Sequence, residues 1–436
     1  MPFESKSARF RFRIGPAQAT LLLLIGLNLL NYIDRYILSG EVLPIQNEFH
    51  ATDHEMGALA TALFIFYMIA APLTGWLGNR SSRKPLIIGG AVLWSLATLG
   101  TVWVHGYWTF YCRQAFVGIG EATFGIFAPA VLSDFYPERE RNRILSIFYV
   151  AIPVGAALGY LAGGVMGSLW GWRTPFFICA VPGFLVAALY GVWGHEPERG
   201  SNDHILSTID RATFRGLFRN PAYLTATFGL ATLTFAMGGL SWWMPEFLRR
   251  YANLSMGNAS LTVGTVTVVD GIGGTLVGGW LAQRWLRHDH RALYLLSFWS
   301  VVLTLPFGLL VFFGPQWFML PALLLAEFFL FLNTGPLNAA IVNSVTAPIR
   351  AAAVGLNFFI IHCFGDTFSP QIIGAISDRV HSLRVAMGTT VVALVVSSTI
   401  LWLGSRVAPP LEELPVDDEE GDEADEESSE PLPDPA

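Results

Sequence analysis

The sequence contains few charged residues and few cysteines, and each shortage excludes a class of protein. Asp, Glu, Lys and Arg make up 14% of the 436 residues, whereas hydrophobic residues make up 53%. Soluble domains carry about 25% charged residues, so this balance favours a protein embedded in lipid. Cys112, Cys179 and Cys363 all lie in long apolar runs, which argues against a disulfide framework and against redox chemistry.

Several motifs of enzymes, pumps and channels are also absent. The sequence has no Gly-Lys-Ser/Thr phosphate loop and no repeated filter loop, which argues against ATP-driven transport and against a channel. His288 and His290 lie in a basic loop without further metal ligands. We therefore predict no cofactor, no metal and no nucleic-acid partner.

Apolar runs long enough to cross a bilayer occur about twelve times, since a core of about 30 Å requires about 20 apolar residues. The first run follows a basic N-terminal segment but lacks a cleavage site, so we interpret it as an uncleaved helix. The predicted spans are 17–39, 55–78, 85–104, 108–136, 142–167, 174–194, 221–247, 259–283, 292–313, 317–345, 350–377 and 385–405.

Basic residues indicate the orientation of these spans. With both termini and the even-numbered loops inside, nineteen Lys and Arg residues fall on the inner side and five on the outer side. Positive residues are retained in cytoplasmic loops, so both termini are predicted to be cytoplasmic. The short loops and minimal N-terminus favour a bacterial inner membrane, and we expect a monomer.

The chain divides into two similar parts and two polar segments. Gly75-Trp-Leu ends span 2 and Gly279-Trp-Leu ends span 8, each followed by arginines in the same register, which indicates a duplicated six-helix half. Thirteen Asp and Glu residues lie in the final segment, so the rest of the chain has 20 acidic and 26 basic residues and a net charge of +6. The predicted regions are a first half at 1–194, a linker with an amphipathic surface helix at 195–220, a second half at 221–406 and a disordered acidic tail at 407–436.

Motifs within these spans resemble a known family of transporters. The loop from Gly75 to Lys84 resembles the signature between helices 2 and 3 of the major facilitator superfamily, although Asn79 stands where the family has an acidic residue. Asn31-Tyr-Ile-Asp-Arg-Tyr36, Gly118-Ile-Gly-Glu-Ala122 and the segment from Ser146 to Tyr160 resemble the spinster family of lysolipid transporters. The resemblance implies an all-α major facilitator fold of twelve transmembrane helices in two six-helix halves. It also implies lysophospholipids or sphingosine 1-phosphate as substrates and, for several members, proton coupling.

Ionisable and amide side chains inside the spans are the strongest functional candidates, because each charge costs about 2.5–3.5 kcal/mol to insert. Asn28, Asn31 and Arg35 form a polar stripe on span 1 with Asp34 beside it. We interpret Arg35 as a phosphate ligand and Asp34 as a proton carrier, with mutual neutralisation of the two as the alternative.

Two charged residues of span 4 are a second candidate group. Arg113 and Glu121 lie about 80° apart around the helix and about 12 Å apart along it, so they are not expected to pair directly. We expect both to face the cavity, with Glu121 as a proton carrier. A static buried ion pair between helices 1 and 4 is the alternative.

In the second half, polar residues recur on spans 10 and 11. Glu327, Thr334 and Asn338 are predicted to share one helical face, and His362, Asp366 and Ser369 another, with the two faces meeting at mid-membrane. For His362, a hydrogen bond to Asp366 is the alternative to a substrate or proton role. The types His, Asp and Ser are those of a hydrolytic triad, but a single helical face has no oxyanion-stabilising turn, so we do not predict an enzyme.

The candidates fall into three groups by predicted role. Those for substrate binding are Arg35, Arg113, Asn31, Tyr36, Tyr67, Tyr149, Trp243, Asn338 and His362. Those for proton coupling are Asp34, Glu121, Asp366 and Glu327. Those for gating are Gly75, Asn79, Arg80, Arg83, Gly155 and Gly159, and a latch weakened at Asn79 predicts a preference for the inward-open state.

The predicted function is secondary active transport of a lysolipid by alternating access, with protons and the bilayer as the other partners. A proton-driven multidrug or small-metabolite porter is the alternative, because an amphiphilic cavity accepts many ions.

Overall fold

The computed structural model describes residues 15–78, 80–198, 215–345 and 349–410, and within these ranges every regular element is a helix. Eleven helices of the described residues are long and apolar enough to cross a membrane. They are α1 (Pro16–Phe49), α2 (Asp53–Gly78), α3 (Arg83–Trp103), α4 (Tyr107–Phe135), α5 (Arg143–Trp170), α6 (Thr174–Trp193), α7 (Pro221–Tyr251), α8 (Met256–Leu286), α9 (Ala292–Phe313), α10 (Gln316–Asn343) and α12 (Leu383–Ser405). Between the last two lies α11, made of Arg350–Ile361 and Ser369–Val380 joined by the π-helical turn His362–Asp366.

This architecture confirms the predicted all-α membrane fold. Asn79, the acidic tail from 411 and most of the predicted linker helix lie outside the described residues. The predicted domain boundaries remain predictions.

Local sequence signals determine where several helices begin. At α2, the Thr52 hydroxyl accepts a hydrogen bond from the Glu55 amide at 3.2 Å, and the Glu55 carboxylate accepts one from the Thr52 amide at 2.9 Å. This reciprocal capping box satisfies donors that a helix start leaves free. At α7, Asn220 lies one residue before Pro221, and its side chain accepts a hydrogen bond from the Tyr223 amide at 3.0 Å.

One helix is longer than predicted. The first run was predicted to end at residue 39, but α1 continues through a 3-10 turn at Leu38–Glu41 and ends at Phe49. His50 follows in the left-handed conformation, with φ 51°. The extra turns carry α1 to the end of the bundle opposite to Pro16. We call the end with Pro16 and Ser405 the terminal end, and the opposite end, with His50 and Asp53, the far end.

Helices α2, α7 and α11 are joined at the far end by a network around Asp53. Arg250 donates to both Asp53 carboxylate oxygens at 2.8 and 2.9 Å, and the Ser377 hydroxyl donates to Asp53 Oδ2 at 2.6 Å. The Asp378 carboxylate accepts the backbone amides of Asp53 and His54 at 3.0 and 2.9 Å. An anion at a helix N-terminus is favourable, so Asp378 of α11 holds the start of α2.

A second far-end contact depends on a proline. Pro245 lies inside α7 and has no N–H, so the carbonyl of Ser241, four residues earlier, has no helical donor. The Tyr160 hydroxyl of α5 donates to this carbonyl at 2.6 Å, and the Ser39 hydroxyl of α1 is shared between it at 3.1 Å and the Trp242 carbonyl at 2.6 Å. The first six helices therefore supply the hydrogen bonds that α7 cannot make for itself.

At the terminal end, Glu196 holds the loop between α2 and α3. Its carboxylate accepts the backbone amides of Arg83 and Lys84 at 2.8 and 3.1 Å and the Ser82 hydroxyl. Arg83 also donates to Asp134 of α4 at 2.5 Å. Burial raises the pKa of Glu196, but these hydrogen bonds outweigh it and lower the pKa to about 2.

The sequence repeat is visible as a repeated contact. Arg80 lies over the Trp76 ring at 4.1 Å, and Arg284 lies over the Trp280 ring at 5.9 Å. A Cβ added at Gly75 would meet nothing within 4 Å, and the same is true at the corresponding glycine of the second copy.

Gly57 permits the close approach of α2 to α11, and we predict that Gly57→Ala weakens the far-end closure. A Cβ at Gly57 would lie 2.3 Å from the Pro370 carbonyl oxygen, so the helices would have to separate. We expect a loss of about 1–3 kcal/mol in the free energy of unfolding, measured in detergent. Gly89→Ala is the control: a Cβ there meets nothing within 4 Å, and the change is expected to gain about 0.5–1 kcal/mol. Equal effects of the two substitutions on the free energy of unfolding would contradict the role of Gly57 in the contact between α2 and α11.

The Glu196 contacts predict a defined pH dependence. A lowered pKa means that ionised Glu196 stabilises the fold above the ordinary value of 4.5, and that this contribution disappears as the pH falls toward about 2. The difference in unfolding free energy between wild type and Glu196→Gln should be constant near neutrality and shrink below pH 4.5. Glu198→Gln, at an exposed residue, is the control and should show no such difference. A difference between wild type and Glu196→Gln that persists at low pH would count against this role.

Candidate substrate cavity

A cavity of about 340 Å³ lies between the first six and the last six helices. One wall is polar and aromatic and comes from α1, α2, α4 and α5, and the other comes from α7, α8, α10 and α11. Its polar and aromatic lining residues are Tyr32, Arg35, Tyr36, Phe64, Gln114, Tyr160, Thr234, Ser241, Trp242, Thr267, Glu327, Phe331, His362 and Asp366.

Arg35 is the basic residue at the first wall, and its partner lies on another helix. Its Nε donates to Glu121 Oε2 at 2.6 Å, and the Glu121 side chain is fully buried. The rings of Tyr32, Phe64 and Tyr67 lie 5.1 to 5.6 Å from the guanidinium. The structure thus contains the ion pair between helices 1 and 4 that the sequence offered as an alternative, and Arg35 does not neutralise Asp34.

The guanidinium of Arg35 keeps donors for a ligand. An arginine has five N–H donors. Among the described residues only Glu121 accepts a hydrogen bond from Arg35, and it uses Nε alone. The side chain is 15% exposed, toward the cavity. The two terminal nitrogens can therefore bind an anionic group in the paired geometry that suits phosphate or carboxylate.

Arg113 lies behind the cavity wall. Its Nε donates to the Ala97 carbonyl at 3.1 Å, and its Nη1 donates to the Gln114 side chain, which does line the cavity. Asp34 accepts the Thr98 hydroxyl at 3.0 Å and interacts electrostatically with Arg113. The expectation that Arg113 faces the cavity is wrong in this conformation, because its side chain is 6% exposed and points toward α3.

His362 and Asp366 lie at the opposite wall, in the π-helical turn of α11. His362 Nδ1 lies 3.0 and 3.1 Å from the two Asp366 carboxylate oxygens, which is the hydrogen-bonded alternative. The ring is stacked on Phe64, with 5.9 Å between centroids, and lies 6.3 Å from Tyr67. This contact brings α2 and α11 together at mid-membrane, beside Arg35.

The predicted polar face of α10 is wrong. The α-helix ends at Phe331 and resumes at Thr334, so the turn at Leu332 breaks the register. Glu327 lines the cavity, whereas Asn338 is exposed and donates to the Thr334 carbonyl at 2.7 Å. On α11, Ser369 donates at 3.4 Å to the Asp366 backbone carbonyl, which Pro370 leaves without a helical donor.

The remaining aromatic and amide candidates are divided between cavity and core. Tyr36 lines the cavity and packs edge to face on Tyr160, with 5.0 Å between ring centroids. Asn31 is buried beside Glu121. Tyr149 is 41% exposed and lies away from the cavity lining. Trp243 is fully buried and donates to the Pro370 carbonyl at 2.9 Å, so it joins α7 to α11.

The glycine candidates of α5 are points of close helix contact. A Cβ at Gly155 would lie 2.6 Å from the Tyr32 Cβ, and one at Gly159 would lie 2.7 Å from the Tyr36 Cβ. Both glycines therefore set the distance between α5 and the cavity face of α1.

Several cavity residues were not predicted. Tyr32 lies one turn before Tyr36, and this i, i+4 spacing places both on one face of α1. Gln114 follows Arg113, and because it carries no charge, the pattern of intramembrane charges did not indicate it. Trp242 lines the cavity while its neighbour Trp243 does not, a distinction that no periodic pattern in α7 makes.

Comparison with known proteins shows the family of the chain. The model of the Major Facilitator Superfamily matches residues 24–370. Protein spinster homolog 1 of Homo sapiens is 31% identical over 396 residues, which cover 84% of this chain and 75% of that protein. Sphingosine-1-phosphate transporter SPNS2 of Danio rerio is 31% identical over 390 residues, which cover 84% of this chain and 77% of that protein.

Two solved structures share the fold. A bacterial homolog to the human lysosomal transporter spinster, in an inward-facing and unoccupied conformation, superposes with a TM-score of 0.81 at 21% identity, over 91% of this chain and 98% of the other. A D-xylose–proton symporter superposes with a TM-score of 0.71 at 17% identity, over 88% and 97%. At these identities the structures support the fold alone.

The buried Arg35–Glu121 pair predicts strong coupling between α1 and α4. Glu121→Gln and Arg35→Gln should each destabilise the protein by about 3–5 kcal/mol, because each leaves a buried charge without its partner. The double variant should lose much less than the sum of the two. The measurement is a double-mutant cycle on unfolding free energies in detergent.

The control for this cycle is the exposed Asp289–Arg291 pair, where the arginine side chain is 49% exposed. We expect a coupling of about 0–1 kcal/mol there. Additive effects at Arg35 and Glu121 would show that the buried ion pair does not contribute to stability.

Proposed function

The chain belongs to the spinster family of the major facilitator superfamily and is a membrane transporter, and from this premise we propose that it moves lysolipid-like amphiphiles by alternating access. Lysophospholipids and sphingosine 1-phosphate are the proposed substrates. One of its relatives is itself named a sphingosine-1-phosphate transporter.

The observation that carries the proposal is the polarity of the cavity. Arg35 presents guanidinium donors at one wall, while Leu63, Met237, Leu330 and Phe331 provide apolar surface in the same cavity. A molecule with an anionic head and an acyl or alkyl chain satisfies both surfaces at once. A sugar or a small polar metabolite would leave the apolar wall without a partner.

Binding at Arg35 also provides a route to proton coupling. A phosphate head group bound at the two terminal nitrogens competes with Glu121 for the positive charge of the guanidinium and weakens the ion pair. Glu121 is then a buried carboxylate whose charge is no longer fully balanced, and taking up a proton removes that charge. Asp34 is the second proposed proton carrier, since it shares Arg113 with Glu121 as an electrostatic neighbour. Asp366 and His362 then exchange protons at the opposite wall.

The packed far end suggests the direction in which the cavity opens. The Asp53 network and the Ser241 carbonyl contacts close that end, so we propose that the cavity opens at the terminal end. Because basic residues favour cytoplasmic termini, this conformation is inward-facing. We also propose a monomer in the cell membrane, in which Gly155 and Gly159 are the points where helices slide during the cycle.

The test is flux into proteoliposomes of labelled lysophosphatidylcholine and sphingosine 1-phosphate, with and without a proton gradient. Loss of one charge-assisted hydrogen bond costs about 1.5–3 kcal/mol, so Arg35→Gln should reduce lysolipid flux by roughly 10- to 100-fold. Arg35→Lys keeps the charge without the paired geometry and should recover only part of the flux.

Arg173→Gln is the matched control, because Arg173 pairs with Glu48 at 2.6 Å at the far end and lies outside the cavity. We expect lysolipid flux within about twofold of wild type, since exposed pairs contribute little. A panel with a cationic dye and a sugar decides between the substrate classes. Transport of the dye or the sugar, with no lysolipid flux, would overturn the proposal in favour of a drug or metabolite porter.

A further inference from the structure

Asp270 is an acidic residue inside α8 that the transport scheme does not use. It is 4% exposed, and its Oδ2 is enclosed without a hydrogen-bond partner among the described residues. The next residue, Gly271, packs against Pro153 of α5 and Phe331 of α10. Asp270 therefore lies in the interior of the bundle, where α8 contacts the other half.

Glu327 of α10 faces the same place. It is 9% exposed and lines the cavity, and Thr267 donates to its Oε2 at 3.3 Å. Thr267 lies one helical turn before Asp270, so Asp270 is on the side of α8 from which Thr267 contacts α10. They interact electrostatically with each other.

This pair differs from the other acids of the cavity region in having no basic side chain beside it. Glu121 lies beside Arg35 and Asp34 beside Arg113, and Asp366 is within hydrogen-bonding distance of the His362 ring. The group facing Glu327 from α5 is Tyr160, which is itself an acid. The residues that surround Glu327 from the other helices of its half are apolar or hydroxylic: Leu240, Met244, Thr304, Gly308 and Thr390. Among the described residues, no lysine, arginine or histidine pairs with either carboxyl group.

We propose that Asp270, Glu327 and Thr267 form a binding site for a monovalent cation, a proton or a sodium ion, separate from the Arg35 site. Two carboxylates in a low-dielectric interior require a compensating positive charge. Where no basic side chain is present, an exchangeable cation provides that charge. Glu327 gives the cation a route, because it lines the cavity, as Thr267 does, and Asp270 follows Thr267 one turn along α8.

The site gives the transporter a coupling ion that does not depend on substrate charge. At Arg35, the substrate competes with a carboxylate for the same guanidinium. At Asp270 and Glu327, the carboxyl groups have no basic partner, so the cation binds them without the substrate first having to open an ion pair. This inference rests on the proposed function for its role in transport, but the site itself can be tested without substrate.

The first test is infrared difference spectroscopy of the purified protein, which detects protonation of carboxyl groups. Spectra are compared between acidic and alkaline buffer, and at constant alkaline pH before and after sodium is added. We expect a carboxyl signal in wild type that is reduced in both Asp270→Asn and Glu327→Gln. A response to pH alone identifies the proton, and an added response to sodium identifies the sodium ion. If wild type and the two variants give the same spectra, the site does not exist.

Glu41→Gln is the matched control. Glu41 is also a buried acid with an enclosed oxygen that lacks a partner, but it lies at the far end of α1, outside the cavity. Its substitution should leave the signal assigned to Asp270 and Glu327 intact. If Glu41→Gln removes the same signal, the assignment fails.

The second test separates coupling from movement of substrate. Asp270→Asn and Glu327→Gln should lose at least about tenfold of the lysolipid accumulation driven by a proton or sodium gradient, a change of about 1.4 kcal/mol. Counterflow of lysolipid, which needs no gradient, should stay within about twofold of wild type in Asp270→Asn, because Asp270 does not line the cavity. Gradient-driven accumulation of lysolipid at the wild-type level in both variants would overturn the proposed site. Absence of all lysolipid flux in wild type would instead overturn the proposed function, and the spectra would still decide whether the cation site exists.

Discussion

The interior of a bilayer offers no water to a polar group, and much of this structure follows from that constraint. It requires helices, which pair their own backbone groups, and it makes every interruption of a helix a place where another helix must help. Pro245 is such a place in α7, because the Ser241 carbonyl is satisfied by hydroxyl groups of α1 and α5. The two sets of helices therefore associate at the far end in part because the first six donate hydrogen bonds that the α7 backbone cannot make itself.

The same constraint explains why charges inside the bundle are paired across helices. Arg35 of α1 and Glu121 of α4 are 86 residues apart in sequence but 2.6 Å apart in space. A pair of this kind joins two helices as long as both partners stay, and it can be opened by a ligand that offers the arginine a better acceptor. The residue that stabilises the resting bundle is therefore also the residue that can recognise an anion.

Much of this could be predicted from the sequence, because membrane insertion is read from local composition. Apolar runs located the helices, and the rarity of intramembrane charge drew attention to Arg35, Glu121 and Glu327. The same rule applies to Asp270, although it is the only charged residue between Met256 and Gln283 of α8 and the sequence analysis did not predict a role for it. The resemblance to the spinster family supplied the fold and the family, both of which the comparisons confirm.

What the sequence could not provide was the choice of partner and the position of helix breaks. Asp34 and Glu121 were both available to Arg35, and only the packing of α1 on α4 decides between them. The break at Leu332 in α10 carries Asn338 away from the cavity, although the residues themselves fit a regular helix. Trp242 and Trp243 are adjacent, and a rotation of about 100° per residue separates the cavity from the core.

The Ser241 carbonyl has a consequence for the speed of the transport cycle. When the far end opens, this oxygen loses the hydroxyls of Ser39 and Tyr160, and the missing N–H of Pro245 cannot replace them. Water has to enter and take their place, so the opening step takes up water from the bulk. An osmolyte too large to enter the gap would lower the water activity and slow that step. We therefore expect the opening step to respond to osmotic pressure because of one proline in α7.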